Sequence, residues 1–169
     1  MKPNFTFFLL IFLTFFEAMG QDKKAQIFFD RGEEAYKSRD FLQASLFYQK
    51  AIERFPEYGL AYYKLGQIAN ASQDTENARK YYLKLLEIEP GNDAYVLAYT
   101  FLGNVFLKQT NYLEAKIFLE KALLKTRKGT RAYSQIESQI ANCVSALEIL
   151  SNPLTIKPSP MPEVLNFKD

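Results

Sequence analysis

Histidine and tryptophan are absent from the 169 residues, and cysteine occurs once. The lack of histidine removes the commonest general base, the usual catalytic triads and most zinc sites. A single cysteine, Cys143, excludes an intrachain disulfide, so the stability of the fold must come from packing. No glycine-rich phosphate loop occurs either. We therefore predict no catalytic, cofactor-binding or metal site, and we expect a protein that is not an enzyme.

Charged residues do not concentrate into a functional site. Lys and Arg number 21, Asp and Glu number 19, and the two signs are interspersed along the chain. A nucleic-acid partner needs concentrated positive charge, so we expect none. Two glutamate pairs, Glu33 with Glu34 and Glu87 with Glu89, could be imagined as an acid and a base. Adjacent or alternate residues on a helix point in different directions, so we interpret both pairs as solvated surface charge.

An apolar run of 12 residues, Phe5 to Phe16, follows Lys2 and precedes an Ala-x-Gly end typical of a cleavage site. A spanning helix needs about 20 apolar residues, whereas the core of a signal peptide has roughly 7 to 15. We predict a signal peptide at residues 1–20, a mature start near Gln21, and an exported chain that is periplasmic or associated with the cell envelope. An uncleaved membrane anchor is the alternative, and we expect contact with the membrane through this segment alone.

Most of the remaining chain repeats itself. Four pairs of identical residues recur at a spacing of 34, namely Gly32 and Gly66, Ala44 and Ala78, Tyr48 and Tyr82, and Pro56 and Pro90. This is the period of a helix-turn-helix solenoid repeat. In a third copy, Gly103, Ala115 and Leu119 follow their counterparts by 37 residues. Three residues are therefore inserted within Asp93 to Tyr99, and we expect the insertion to lengthen one helix.

Each recurring position has a mechanical role. The glycines permit close contact between the two helices of a hairpin, and the large side chains fill the space beside them. Pro56 and Pro90 cannot continue a helix, so each marks the end of a hairpin. Asp40, Asp74 and Asn111 occupy one equivalent position, where the second helix of each hairpin starts, and we predict that they are N-caps.

This pattern resembles that of the tetratricopeptide repeat (TPR) family, as the second copy shows with Tyr62, Leu65, Gly66, Ala69, Ala78, Tyr82 and Pro90. The resemblance implies an all-α fold, a right-handed α-solenoid of three TPR helical hairpins plus a C-terminal capping helix. The three repeats are expected at about residues 25–58, 59–92 and 93–128 of a solenoid that spans 21–150.

The capping helix is predicted at residues 130–150. An apolar stripe runs along it, opposite a polar face, through Ile136, Ile140, Cys143, Leu147 and Leu150. The stripe favours a buried Cys143 over an unpaired reactive thiol. Beyond the helix, four prolines lie between Asn152 and Pro162. Residues 151–169 are therefore interpreted as a Pro-rich linker or tail.

The resemblance also implies a concave groove that binds a partner protein or peptide rather than a small-molecule substrate. Carried over from the family's groove positions, the partner-binding residues are Phe29, Glu33, Tyr36, Tyr63, Gln67, Asn70, Thr100, Asn104 and Lys108. The alternative is that the aromatic members belong to the core. The carboxylate clamp of the family's co-chaperones is not matched, because its places hold Phe29, Glu33, Gln67, Leu97 and Phe101.

A second resemblance concerns the end of the chain. The stretches Asn142–Ala146 and Asn152–Pro158 are similar to a junction in Bacteroidetes-type envelope proteins, where TPR repeats precede a β-propeller and an OmpA-like domain. We expect a non-catalytic adaptor in the cell envelope. The alternatives are an N-terminal structural module of a larger OmpA-like, peptidoglycan-linked outer-membrane assembly protein, and an enzyme subunit whose catalytic groups come from a partner.

Overall fold

The structure, a computed structural model, describes residues 23–151, and every regular element in that range is helical. The predicted signal peptide at 1–20 and the predicted tail after Ser151 lie outside the described residues. Residues 23–37 belong to helix α1. The following helices are α2 (Phe41–Arg54), α3 (Gly59–Ala71), α4 (Thr75–Ile88), α5 (Val96–Lys108), α6 (Tyr112–Lys125) and α7 (Arg131–Ser151), with a 3₁₀ turn at Asp93–Tyr95 before α5.

The helices form three successive hairpins, α1 with α2, α3 with α4 and α5 with α6, and α7 packs on α6. Three core clusters follow one another along the chain, and each joins one hairpin to the next helix. The core is therefore continuous although each helix contacts mainly its neighbours, which is the architecture of a solenoid. This confirms the predicted all-α fold of helical hairpins with a C-terminal helix. No helix among residues 23–151 has the length and apolar character needed to cross a membrane.

The turn inside each hairpin has one repeated geometry. Arg39, Gln73 and Thr110 adopt positive φ angles of 62°, 61° and 56° at equivalent positions. At each turn two backbone hydrogen bonds close the first helix, as when Asp40 N donates to Ala35 O and Arg39 N donates to Tyr36 O. This is the Schellman arrangement, which satisfies the last carbonyls of a helix and reverses the chain. The second helix can therefore start at the very next residue.

The predicted N-caps occupy that next residue in all three hairpins. The side chain of Asp40 accepts a hydrogen bond from Gln43 N, and that of Asp74 accepts one from Asn77 N. Asn111 is also an N-cap by position, but its side chain makes no capping hydrogen bond. The cap position is thus confirmed in each hairpin, while the capping interaction is present in the first two.

Close approach of paired helices explains the recurring glycines. A Cβ built on Gly66 would lie 2.5 Å from Cε1 of Tyr82, and one on Gly32 would lie 2.5 Å from Cε1 of Tyr48. Both tyrosine side chains are fully buried. The ring of the second helix therefore occupies the space that a side chain on the first helix would need.

The expectation that the three inserted residues lengthen a helix is wrong. Helices α3 and α5 both contain 13 residues. The insertion instead forms the 3₁₀ turn Asp93–Tyr95, which starts where the side chain of Asn92 accepts a hydrogen bond from Ala94 N. Gly91, at φ 82°, redirects the chain just before it. The extra length is absorbed in the connection because these residues form a separately capped turn.

Helix α7 covers the last hairpin with Ile136 and Cys143, which are 4% and 0% exposed. The prediction of a buried Cys143 is confirmed, and burial raises the pKa of its thiol. The sequence predicts Leu150 on the same buried stripe, but its side chain is 65% exposed. With 21 residues against 14 in α6, helix α7 is longer than the helix on which it packs, so its last turn lacks a covering surface.

Candidate functional site

A cavity of about 600 Å³ lies between α3 and α5, and we call it the groove cavity. Its lining consists of Asn70, Gln73, Thr75, Leu97, Thr100, Phe101, Asn104, Val105 and Lys108. Four of the nine predicted partner-binding residues, Asn70, Thr100, Asn104 and Lys108, are therefore brought together. Amide and hydroxyl groups dominate the polar part of this lining, and Lys108 is its one charged side chain. Such groups can bond to the backbone of a bound segment, while Leu97 and Phe101 supply apolar contact area.

Helix α7 bonds to one residue of the groove cavity, Asn104, although no residue of α7 lines the cavity itself. The side-chain amide of Gln139 donates a hydrogen bond of 2.6 Å to Oδ1 of Asn104. The other end of the same group, Gln139 Oε1, is buried and has no hydrogen-bond partner among the described residues. A buried acceptor without a partner is costly unless something donates to it.

Glu33 and Tyr36 lie apart from the groove cavity, in a cluster with Lys64 and Tyr48. Lys64 Nζ is 2.8 Å from Oε1 of Glu33, and the hydroxyl of Tyr48 donates a hydrogen bond of 2.5 Å to the same carboxylate. Partial burial opposes ionisation of Glu33, but the bonds from Lys64 and Tyr48 together lower its pKa. Burial and the bond to Glu33 raise the pKa of Tyr48. Lys64 also lies over the ring of Tyr36, 5.1 Å from its centre.

Two further aromatic residues from the predicted set serve packing. Phe29 is 8% exposed, with ring centres 5.4 Å from Tyr48 and 5.1 Å from Tyr58. The prediction that Phe29 offers contact area to a partner is therefore wrong, because its side chain is part of the core. Tyr63 is half-buried between Tyr82 and Tyr95, with ring centres 6.2 Å and 5.0 Å away. Gln67 lies partly buried on α3 and does not line the groove cavity.

Three glutamates of the two pairs, Glu33, Glu87 and Glu89, have hydrogen-bond or ion-pair partners. Glu33 belongs to the cluster with Lys64, and Glu89 accepts hydrogen bonds from the hydroxyl of Tyr95 and the amide of Asn92. Their interpretation as solvated surface charge is wrong, since both side chains are partly buried. Glu87 is exposed and pairs with Lys84 at 3.0 Å. No group of three or more potential metal-ligating residues occurs between positions 23 and 151.

Sequence reasoning missed Gln139, and a signal for it existed. Glu33, Gln67 and Asn104 occupy one position of the three repeats, at spacings of 34 and 37 residues. Gln139 follows Asn104 by 35 residues and bonds to it. Helix α7 therefore stands where the first helix of a fourth repeat would stand, and it presents the next polar side chain of this series.

Comparison with known families matches most of the described helices. A model described as tetratricopeptide repeat matches residues 29–93, and a second model with the same description matches residues 96–124. Together these matches extend over more than half of the chain. Among curated proteins, none matches the chain significantly.

Solved structures show the same fold at low sequence identity. The N-terminal domain of stress-induced protein-1 (STI-1) from C. elegans has a TM-score of 0.58 and 22% identity, over 70% of this chain and 96% of that one. The TPR domain of Arabidopsis OM64 has a TM-score of 0.57 and 20% identity, over 72% and 98%. The first TPR domain of Spaghetti (RPAP3), bound to an HSP90 peptide, has a TM-score of 0.57 and 16% identity, over 75% and 95%.

Proposed function

The chain belongs to the tetratricopeptide repeat family, and on this premise we propose that it is a non-catalytic adaptor that binds a segment of a partner protein in the groove cavity. Domains of this family are protein–protein interaction modules, and their fold is generally a scaffold without catalytic groups. The observation that carries the proposal is the cavity between α3 and α5, where four residues from the family's groove positions meet.

The side chains that line the groove cavity indicate the chemical character of the segment that it binds. Its amides and hydroxyls pair with backbone groups, and Leu97, which is 40% exposed, offers apolar contact. Only one charged side chain, Lys108, lines it, so a highly charged ligand gains little there. The RPAP3 domain binds an HSP90 peptide, but the groove positions that a carboxylate clamp requires hold Phe29 and Glu33 here. The proposed ligand is therefore an internal segment of mixed polarity.

Export to the cell envelope is the second part of the proposal. It rests on the apolar run from Phe5 to Phe16 and its Ala-x-Gly end. Mass spectrometry of the N-terminal peptide from the envelope fraction tests it, because cleavage yields a chain that starts near Gln21. A chain that retains Met1 in the envelope would favour the membrane anchor, and a cytoplasmic chain that retains it would refute export.

A structural module of a larger peptidoglycan-linked, OmpA-like assembly is the alternative proposal. One observation favours it, namely the exposed apolar residues Ile149 and Leu150 at the end of α7, each 65% exposed. A following domain would cover them. The size of the endogenous product on an immunoblot of envelope fractions decides this point, because a module of such an assembly would run far above 19.6 kDa.

Site-specific crosslinking tests binding in the groove cavity. We would replace Leu97 with p-benzoylphenylalanine, irradiate cells that express the full chain, and identify adducts by mass spectrometry. The matched control carries the same residue at Leu42, which is 72% exposed on α2 and does not line the cavity. A partner crosslinked from position 97 and not from position 42 supports the groove. The same adducts from both positions, or none from 97, would refute it.

A further inference from the structure

A second cavity, of about 350 Å³, opens between the end of α4 and the face of α6, and we call it the basic pocket. Its lining is Leu86, Pro90, Gly91, Tyr99, Phe118, Lys121, Leu124 and Lys125. None of these residues lines the groove cavity. The interior is aliphatic and aromatic, and the two lysines stand at its rim. Its volume is at the lower end of the range for ligand sites, about 300 to 1,000 Å³.

The two lysines differ in their interactions. Lys125 pairs with Asp93 and donates a hydrogen bond of 2.7 Å to Gly91 O, so it fastens the inserted turn to α6. Lys121 lies over the ring of Phe118, 5.9 Å from its centre, and has no carboxylate partner among the described residues. The charge of Lys125 is thus paired within the fold, whereas the charge of Lys121 can pair with a ligand.

Comparison of the repeats explains why Lys121 is available. In the second repeat the equivalent lysine, Lys84, pairs with Glu87 three residues later at 3.0 Å. In the third repeat the residue equivalent to Glu87 is Leu124, which is 88% exposed. The first repeat has Glu53 there, three residues after Lys50, but no ion pair joins these two side chains. The third repeat alone has no carboxylate at this position, where it has an exposed apolar side chain at the mouth of a pocket.

Positive charge continues beyond the pocket. Residues 116–131 contain six basic side chains and a single acidic one, Glu120, which pairs with Lys116 at 2.7 Å. Arg127, Lys128 and Arg131 are exposed and have no carboxylate partner among the described residues. The prediction that the two signs are interspersed along the chain is therefore wrong for this stretch, although 21 basic and 19 acidic residues nearly balance over the whole chain. A surface with an excess of positive charge attracts a negatively charged ligand.

We propose that the basic pocket is a second docking site, independent of the groove cavity, for an acidic protein segment that carries one large apolar side chain. The apolar side chain enters between Leu86, Tyr99 and Phe118 and contacts Leu124. A neighbouring carboxylate of the segment pairs with Lys121, in place of the glutamate that the second repeat supplies from its own helix. Further acidic residues lie along the basic stretch after α6. A lipid surface fits less well, because the apolar lining is recessed in a cavity.

Selection from a random linear peptide library displayed on phage, with the full chain in non-ionic detergent, tests this proposal. We expect enrichment of peptides in which Asp or Glu flanks Leu, Ile, Phe or Met. Leu124→Glu restores the residue type of the other repeats, so it removes the apolar contact and neutralises Lys121 at once. It should weaken binding of the selected peptides by tenfold or more, measured by fluorescence polarisation. Lys121→Gln should weaken binding less and reduce its dependence on salt.

The matched control is Leu42→Glu, an identical change at another exposed leucine on α2, which should alter affinity less than about twofold. Asn70→Asp with Lys108→Glu, in the groove cavity, should likewise leave affinity unchanged. Loss of binding in the groove variant with retention in Leu124→Glu would overturn the second site. Enrichment without acidic and apolar residues would overturn the ligand chemistry. Binding to phosphatidylglycerol vesicles that requires Leu124, without peptide enrichment, would assign the pocket to a lipid surface instead.

Discussion

The hydroxyl of Tyr48 donates a hydrogen bond of 2.5 Å to Glu33, whereas the hydroxyl of Tyr82, at the equivalent position of the next repeat, is buried without a partner among the described residues. Both rings pack against a glycine in the same way. Gln67 stands at the position of Glu33 in the second repeat, and it makes no hydrogen bond to Tyr82. The repeats therefore share packing but not their polar contacts, and two identical substitutions should have opposite effects.

Tyr48→Phe should lower the free energy of unfolding by about 2 kcal/mol, because it removes a hydrogen bond to a charged carboxylate. Tyr82→Phe should leave stability unchanged or raise it by up to about 1 kcal/mol, because it removes a buried donor that has no partner. Urea denaturation of the two variants beside the parent chain measures both values. Equal losses in the two variants would mean that the Tyr82 hydroxyl is satisfied in solution.

The ion pair between Glu33 and Lys64 should make stability depend on pH. Because the pKa of Glu33 is lowered in the folded state, its stabilising contribution is present above the ordinary glutamate pKa, about 4.3. The contribution is lost as the pH falls through the folded-state value. Glu33→Gln should cost about 1 kcal/mol near neutral pH, and this cost should shrink as the pH is lowered.

Unfolding of the parent and Glu33→Gln chains, measured from about pH 6 to pH 3, provides the test. Other carboxylates, such as Asp74 with its own lowered pKa, titrate in both chains and cancel in the difference. A difference that stays constant over this range would show that Glu33 acts through shape rather than charge.

The recurring residues predicted the fold well because they act through local sterics. Gly66 packs against the ring of Tyr82 within one hairpin. Asp40 and Asp74 cap helices by accepting hydrogen bonds from backbone groups three residues later. Such interactions depend on a few positions in one hairpin. The repeat period alone was therefore enough to predict the order of the helices and their pairing into hairpins.

The candidate site was predicted less completely, because it depends on particular side-chain contacts within and between repeats. Phe29 occupies a groove position by family analogy, yet the nearby Tyr48 and Tyr58 enclose its ring. Glu33 is engaged by Lys64, which lies 31 residues away on the next hairpin. Neither contact has a signature in local periodicity. The basic pocket lies beside the inserted turn, to which Lys125 is bonded, and the sequence pattern did not predict the conformation of that turn.

Close contact between α3 and α4 makes Gly66 intolerant of a side chain. Gly66→Ala would place Cβ 2.5 Å from the ring of Tyr82, so we expect a loss of about 2 kcal/mol through overpacking. This is opposite to helix propensity, which favours alanine over glycine by about 1 kcal/mol. Asn70→Ala, on the exposed side of the same helix, should change stability by less than about 0.5 kcal/mol. An increase in the melting temperature of Gly66→Ala would show that the ring moves aside at no cost.

Thr110→Gly should stabilise the third hairpin. Thr110 has a φ of 56° in the Schellman turn, where a β-branched residue is strained and glycine is not. Its hydroxyl bonds to the adjacent carbonyl of Gln109 at an exposed site, so little is lost with it. We expect the free energy of unfolding to rise by about 0.5 to 1 kcal/mol, after allowance for the greater entropy of glycine in the unfolded chain.

Gly91→Ala is the reverse control, since Gly91 has a φ of 82° and an added Cβ would meet nothing within 4 Å. Its expected loss of about 1 kcal/mol would reflect conformation alone. Urea denaturation gives both values, and a loss of stability in Thr110→Gly would mean that the side chain contributes more to the turn than its strained conformation costs.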